Sequence, residues 1–353
     1  INTLKLMYEA EKSSNKNKMK LCGSIFSNFL IKNYESEIIY PEEKLDIVSY
    51  ILSKISIKNY YVKNTIAKIL GFIAAKEFPN CYESFIKILL DKLSEFKPDD
   101  EDSENQVDTI LRILINVLNN CDEECSIITG NVLPIIINVF KQSKNNQKNR
   151  EKCLIIVTLL LNKLSYADGN DSDLLSKSLD ENSLMENSIS LFTSILISNP
   201  KMLLDIKKYT IRILDILVRD MPIYSSKFFN LLIEPTWRLI VLELSLYCNS
   251  IVFNKPLEYT EDEEITMEEE NHVYEHGYES DDDEEITGME GLIIELIDFT
   301  VDLLKRNSVI NALKPALFTF LLCIKGYLLL PYNSIILWKD DCNLYITEEY
   351  DEE

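Results

Sequence analysis

The chain has two histidines, His272 and His276, and with Glu275 they spell His-Val-Tyr-Glu-His. That order matches an inverted zinc-protease pattern, in which two imidazoles bind the metal and a glutamate acts as base. The chemistry needs a helix that holds both rings on one face. Here the five residues sit in a carboxylate-rich stretch with no apolar stripe, so the match reads as coincidence. No other histidine is present to activate a Ser or Cys nucleophile. The eight glycines are dispersed and form neither Gly-x-Gly-x-x-Gly nor a phosphate-loop pattern. Gly288 to Gly291 reads as the entry to a helix. None of the eight cysteines forms a Cys-x-x-Cys pair. Cys121 and Cys125 are four apart but lack matching ligands nearby, and the set reads as reduced thiols. The run Asp281 to Glu285 lacks the alternating ligand spacing of a calcium loop. These residues predict a protein that is not an enzyme and holds no metal or cofactor.

Charge is the stronger signal. The formal net charge is −22, and Glu258 to Glu285 carries 15 carboxylates with no Lys or Arg. Glu348 to Glu353 adds five more, so the remaining chain is within two charges of neutrality. The candidate binding residues of the acidic segment are Glu258, Glu261, Asp262, Glu263, Glu264, Glu268, Glu269, Glu270, Asp281, Asp282, Asp283, Glu284 and Glu285. Like charges at this density repel one another, and a basic protein partner relieves the repulsion. Tyr259, Tyr274 and Tyr278 lie among them and can face Arg or Lys cations. A nucleic-acid backbone is disfavoured, because phosphates need basic patches. No run of 18 apolar residues occurs, so no membrane insertion is expected. The chain opens at Ile1 with Leu4, Leu6 and Met7 spaced as if inside a helix, and it reads as a fragment without a signal peptide.

The apolar residues are spaced helically almost throughout. Val62, Ile66, Ile69 and Ile73 form one stripe. Val107, Ile110, Leu111, Leu114, Val117 and Leu118 form a second, and Leu154, Val157, Leu160, Leu161 and Leu164 a third. Only eight Gly and ten Pro interrupt the chain. The predicted helices include 18–33, 60–77, 105–121, 147–165, 222–232, 234–253 and 309–329. Lys97 to Asn105 reads as an acidic loop, and Lys12, Lys16, Lys18 and Lys20 as loop decoration. Helical hairpins end near Glu77, Cys121 and Leu164, a period of about 40 to 45 residues, as in HEAT and armadillo repeats. The fold class expected is all-α, a HEAT/armadillo-type helical-repeat solenoid in which each hairpin covers its neighbour's apolar face. Five segments follow: repeats over 1–166, further repeats over 167–253, an acidic insertion over 254–288, repeat helices over 289–338 and an acidic end over 339–353. Lys63, Asn64, Lys68, Asp108, Arg112 and Asn116 are the candidate polar contacts of the inner helices, followed by Arg150, Glu151, Lys152 and Lys163 on the next helix.

Specific residues carry a resemblance. Glu42-x-Lys44 leads into a helix, then come Val62 to Ala75 and Phe78-Pro79-x-x-Tyr82. Downstream, Pro235-Thr236-Trp237 begins a helix that closes on Leu246-Tyr247 before the acidic segment. Gly288-Met289-Glu290 leads to Ile297-Asp298-Phe299, Asp302-Leu303-Leu304, Ala312-Leu313 and Pro315. Leu337-Trp338, Asp340, Tyr345-Ile346 and Glu348-Glu349 close the series. This pattern resembles the N-terminal half of the karyopherin-β (importin-β) nuclear transport receptors, most of all their importin-9 branch. The resemblance implies a monomeric carrier shuttling between cytoplasm and nucleus. Its partners would be Ran-GTP on the inner helices of the first repeats, basic cargo such as core histones or ribosomal proteins, and Phe-Gly nucleoporins. Rival readings are a HEAT-repeat scaffold subunit, an acidic histone chaperone, or an exportin of the same superfamily.

Overall fold

The computed structural model describes residues 2–12, 15–34, 39–77, 85–120, 125–165, 184–198, 204–220, 225–253, 288–329 and 331–340. Among them every regular element is a helix and no strand occurs, so the described chain is all-α. It divides into two compact units, 1–188 and 189–353. The acidic segment, both histidines, Phe78 to Tyr82 and the closing Glu348-Glu349 lie outside the described residues.

The first unit contains α1 (Asn2–Lys12), α2 (Lys16–Asn33), α3 (Pro41–Leu52), α4 (Tyr60–Glu77), α5 (Lys87–Ser94), α6 (Glu101–Asn120), α7 (Cys125–Gln142) and α8 (Gln147–Ser165). Four of these start in the same way. Asn15 Oδ1 accepts from the Lys18 amide at 3.0 Å and Asn59 Oδ1 from the Val62 amide at 3.2 Å. Asp100 Oδ1 accepts from the Asp102 amide at 3.3 Å and Asn146 Oδ1 from the Asn149 amide at 3.0 Å. Each such bond satisfies one of the amides that a helix start leaves without a partner. The four capped helices are α2, α4, α6 and α8, and these pack in sequence, α2 on α4, α4 on α6 and α6 on α8. Alongside, α1 pairs with α2, α5 with α6 and α7, and α7 with α8. The buried faces are the stripes of the sequence, including Val62, Ile66, Ile69, Ile73, Ile110, Leu114, Leu154 and Leu160.

Two boundaries move for local reasons. The acidic loop expected over 97–105 gives way to helix at Glu101, because Glu101, Asp102 and Glu104 sit in the first turn, where the helix dipole favours carboxylates. Of the lysines expected on a loop, Lys12 closes α1, and Lys16, Lys18 and Lys20 fall in α2 because the Asn15 cap starts that helix at Lys16.

The second unit contains α10 (Leu204–Asp220), α11 (Phe229–Tyr247), α12 (Gly288–Leu304), α13 (Asn307–Leu313), α14 (Leu317–Tyr327) and α15 (Tyr332–Asp340). The division between units falls within α9 (Leu184–Ser198). Helix α12 packs on α10 and α11, and α14 packs on α11. A break was expected between 232 and 234, yet α11 runs through Pro235. Proline removes the donor to the carbonyl four residues back. That residue is Leu231, which is exposed, and Thr236 Oγ1 donates to the next carbonyl, that of Leu232, at 2.6 Å. The single helix expected over 309–329 is split by a 3-10 turn at Lys314–Ala316, which carries Pro315. The stretch Asn307–Tyr327 is long and apolar enough to cross a bilayer, with mean hydropathy 1.4. Pro315 sits in the 3-10 turn inside this stretch, between α13 and α14. Arg306 Nη2 donates to the Val218 carbonyl at 2.8 Å, one of the last carbonyls of α10.

Helices α4 and α6 approach most closely at Gly71. A Cβ there would lie 2.6 Å from Asn116 Cβ and 3.0 Å from the Asn116 carbonyl carbon. A Cβ at Gly326 would instead meet the end of the Leu244 side chain, which can move aside. Gly71→Ala is therefore expected to destabilise the chain by about 1–3 kcal/mol through overpacking. Gly326→Ala is expected to cost less, and thermal unfolding of both variants checks the contrast.

Candidate functional site

Four of the six inner-helix candidates converge. Asp108 on α6 is the centre. Lys63 Nζ, from α4, donates to Asp108 Oδ2 at 2.6 Å. Arg112 Nε, one turn along α6, donates to Asp108 Oδ1 at 3.1 Å. Lys152 Nζ, from α8, lies 3.2 Å from the same oxygen. Lys63 also donates to Asn105 Oδ1 at 2.9 Å, and Arg112 Nη1 to Asn64 Oδ1 at 2.8 Å. The Arg112 guanidinium lies over the Tyr60 ring, 4.6 Å from its centre. The result is a ladder of polar groups across α4, α6 and α8, with side-chain exposure of 6% at Lys63, 10% at Lys152, 11% at Arg112 and 16% at Asp108.

Electrostatics follows from that geometry. Burial alone would raise the Asp108 carboxyl, but the charges of Lys152, Arg112 and Lys63, with the Lys63 hydrogen bond, hold it well below the usual range. Burial lowers the Lys152 ammonium, and Asp108 opposes that while Arg112 adds to it. Three cations therefore share one carboxylate in a site with little water.

The other two candidates stand apart. Lys68 is exposed on α4. The Asn116 side-chain amide donates to the Arg112 carbonyl at 2.9 Å, within its own helix. Sequence reasoning missed Asn105, which it assigned to the end of a loop. Register was the available signal: positions 63, 108 and 152 lie 45 and 44 apart, the spacing of one helical hairpin.

The second unit holds a cluster that the sequence did not announce. Lys207 on α10 and Glu243 on α11 form a fully buried ion pair at 2.5 Å. On the seam between α10 and α12, Asp215 faces Asp302, with Arg219 Nη1 3.0 Å from Asp215 Oδ2 and Lys305 bonded to Asp302. Arg212 Nε donates to Glu295 Oε1 at 2.7 Å on the same seam. Burial first and the neighbouring Asp302 second, against the pull of Arg219, together push the Asp215 carboxyl up to about 7. Asp215 Oδ1 is buried and has no hydrogen-bond partner among the described residues. Among the described residues no group of three or more His, Cys, Asp or Glu is placed to hold a metal ion.

No protein-family model and no curated protein matches the chain.

The Asp215 shift makes folding pH-dependent. Its folded value lies above the ordinary carboxyl value, so the folded chain keeps a proton that the unfolded chain releases. This contribution is full below about pH 4 and is lost as pH rises to about 7. Asp215→Asn is expected to flatten that slope and to raise the unfolding midpoint at pH 8 relative to the wild type. Calorimetric scans at pH 5 and pH 8 check both.

Proposed function

We propose that the chain is part of a non-enzymatic nuclear import receptor of the karyopherin-β type, built as a HEAT-repeat solenoid. The observation that carries the repeat reading is the common register of α4, α6 and α8. Lys63, Asp108 and Lys152 meet at hairpin spacing, and the same helices start from Asx caps. Side-by-side stacking of equivalent helices is how such repeats bury a continuous core. A stack of this kind offers extended surfaces to proteins rather than a pocket to a small substrate.

The transport reading rests on the sequence. Its supports are the resemblance of residues 40–95 and 235–349 and the density of carboxylates from Glu258 to Glu285. In this reading the acidic segment takes basic cargo, histones or ribosomal proteins, and the first repeats take Ran-GTP. Phe-Gly nucleoporins bind weakly on the outer helices, and the carrier shuttles through nuclear pores. One observation favours the rival reading of a structural scaffold. Lys63, Asn64, Asp108 and Arg112 direct their polar atoms at one another, so they hold the stack together.

The experiment is capture of Ran loaded with GTP or GDP on the purified chain. A carrier retains the GTP form selectively, whereas a scaffold or a histone chaperone retains neither. Histone binding is measured alongside across a salt series. Affinity is expected to fall steeply between 50 and 300 mM salt, with exposed charges screened beyond about 8 Å at physiological ionic strength. Neutralising Glu261 to Glu264 and Asp281 to Glu285 together is expected to abolish most of that salt dependence. Unchanged histone binding after neutralisation removes the acidic segment from the mechanism.

A further inference from the structure

The ladder around Asp108 is unbalanced. Lys63, Arg112 and Lys152 bring three positive charges, and Asp108 takes both of its oxygens to meet them. The one other carboxylate whose charge reaches Lys152 is Glu151. Positive charge remains in excess where the side chains are 6 to 16% exposed. Buried charge without a counter-charge costs several kcal/mol per ion.

The hydrogen-bond account tilts the same way. Arg112 spends Nε on Asp108 and Nη1 on Asn64. One turn N-terminal to the ladder, on α4 and α8, two polar atoms lie buried without partners, Tyr60 Oη and Asn149 Nδ2. The amide nitrogen and the hydroxyl left over in this stretch can both donate. What is missing is an acceptor that carries negative charge.

The geometry points to an oxyanion site at this ladder, formed by Lys63 of α4, Arg112 of α6 and Lys152 of α8, for a tetrahedral phosphoryl or sulfate-type group. A carboxylate offers two oxygens. A tetrahedral oxyanion offers three or four and up to two charges, which fits donors on three helices better. Asp108 and Arg112 are the most exposed members of the ladder. An anion seated there supplements Asp108 and ties α4, α6 and α8 together. The site is independent of the transport reading, since it requires only the stacked helices.

Thermal unfolding of the full chain tests it, with inorganic phosphate compared against chloride at matched ionic strength. A ligand at tenfold its dissociation constant is expected to raise the midpoint by roughly 3 °C. Lys152→Met keeps the aliphatic stem and removes one charge, and it is expected to abolish the rise. Arg112→Gln serves the same purpose if that variant does not fold. Asp108→Asn removes the competing carboxylate and is expected to bind phosphate about tenfold more tightly, at the stronger level of charge-assisted hydrogen bonds. A parallel arm uses O-phospho-L-serine. A rise with phosphate alone assigns the site to the free ion, and a rise with both assigns it to phosphoryl groups carried on larger molecules. No rise above chloride with either anion, or an undiminished rise in both Lys152→Met and Arg112→Gln, overturns the proposal.

Discussion

One carboxylate serving three cations sets the register of the first unit. Asp108 is reached from α4 by Lys63, from α8 by Lys152 and from its own helix by Arg112. Apolar stripes hold these helices side by side, but apolar contact is indifferent to small slides along the axis. A buried ionic ladder is not. Sliding α4 by one residue carries Lys63 away from Asp108 and leaves buried charge uncompensated, which costs about 3–5 kcal/mol. Gly71 works with the ladder rather than duplicating it. The glycine fixes how close α4 comes to α6, and Lys63–Asp108 fixes how the two align.

The second unit solves its alignment with the opposite sign. Lys207 and Glu243 are paired one to one in the core, and on the other seam two carboxylates, Asp215 and Asp302, face each other. There burial and the like charge of Asp302 raise the Asp215 carboxyl. In the first unit the mismatch is positive, and burial relieves part of it by lowering the Lys152 ammonium. Both arrangements follow from charged groups sharing a seam between stacked helices. They differ in what relieves the imbalance, and this difference makes one seam sensitive to pH and the other receptive to an anion.

The helical class was legible because period-3.6 stripes survive any local accident. Ile66, Leu114 and Leu160 are buried where their spacing requires it. The ladder was half legible. Lys63, Asp108 and Arg112 stand out as polar positions on helices, but nothing in one helix says that they face each other. That information lies in the spacing between hairpins. Asn105 was lost with the misplaced start of α6, since three carboxylates read as a loop when taken by composition and as a first turn when taken by the helix dipole. Pro235 misled for a related reason. A proline ends a helix only if the carbonyl it deprives cannot find water, and exposure of Leu231 is a tertiary fact. The Asp215–Asp302 pair was illegible, because its partners are 87 residues apart and neither belongs to a motif.

The same ionic commitments bear on how the chain's charge is available to partners. Lys63, Arg112, Lys152, Lys207 and Arg212 each already face a carboxylate within their own unit. These cations are anchored at short range, and releasing Lys207 or Arg212 would strand Glu243 or Glu295. The 15 carboxylates of Glu258 to Glu285 have no Lys or Arg among them. Basic groups from outside the chain can relieve their mutual repulsion without unmaking a ladder. This asymmetry supports the reading of a stacked-helix protein whose acidic segment receives basic proteins, and it does so without asking any side chain for catalysis.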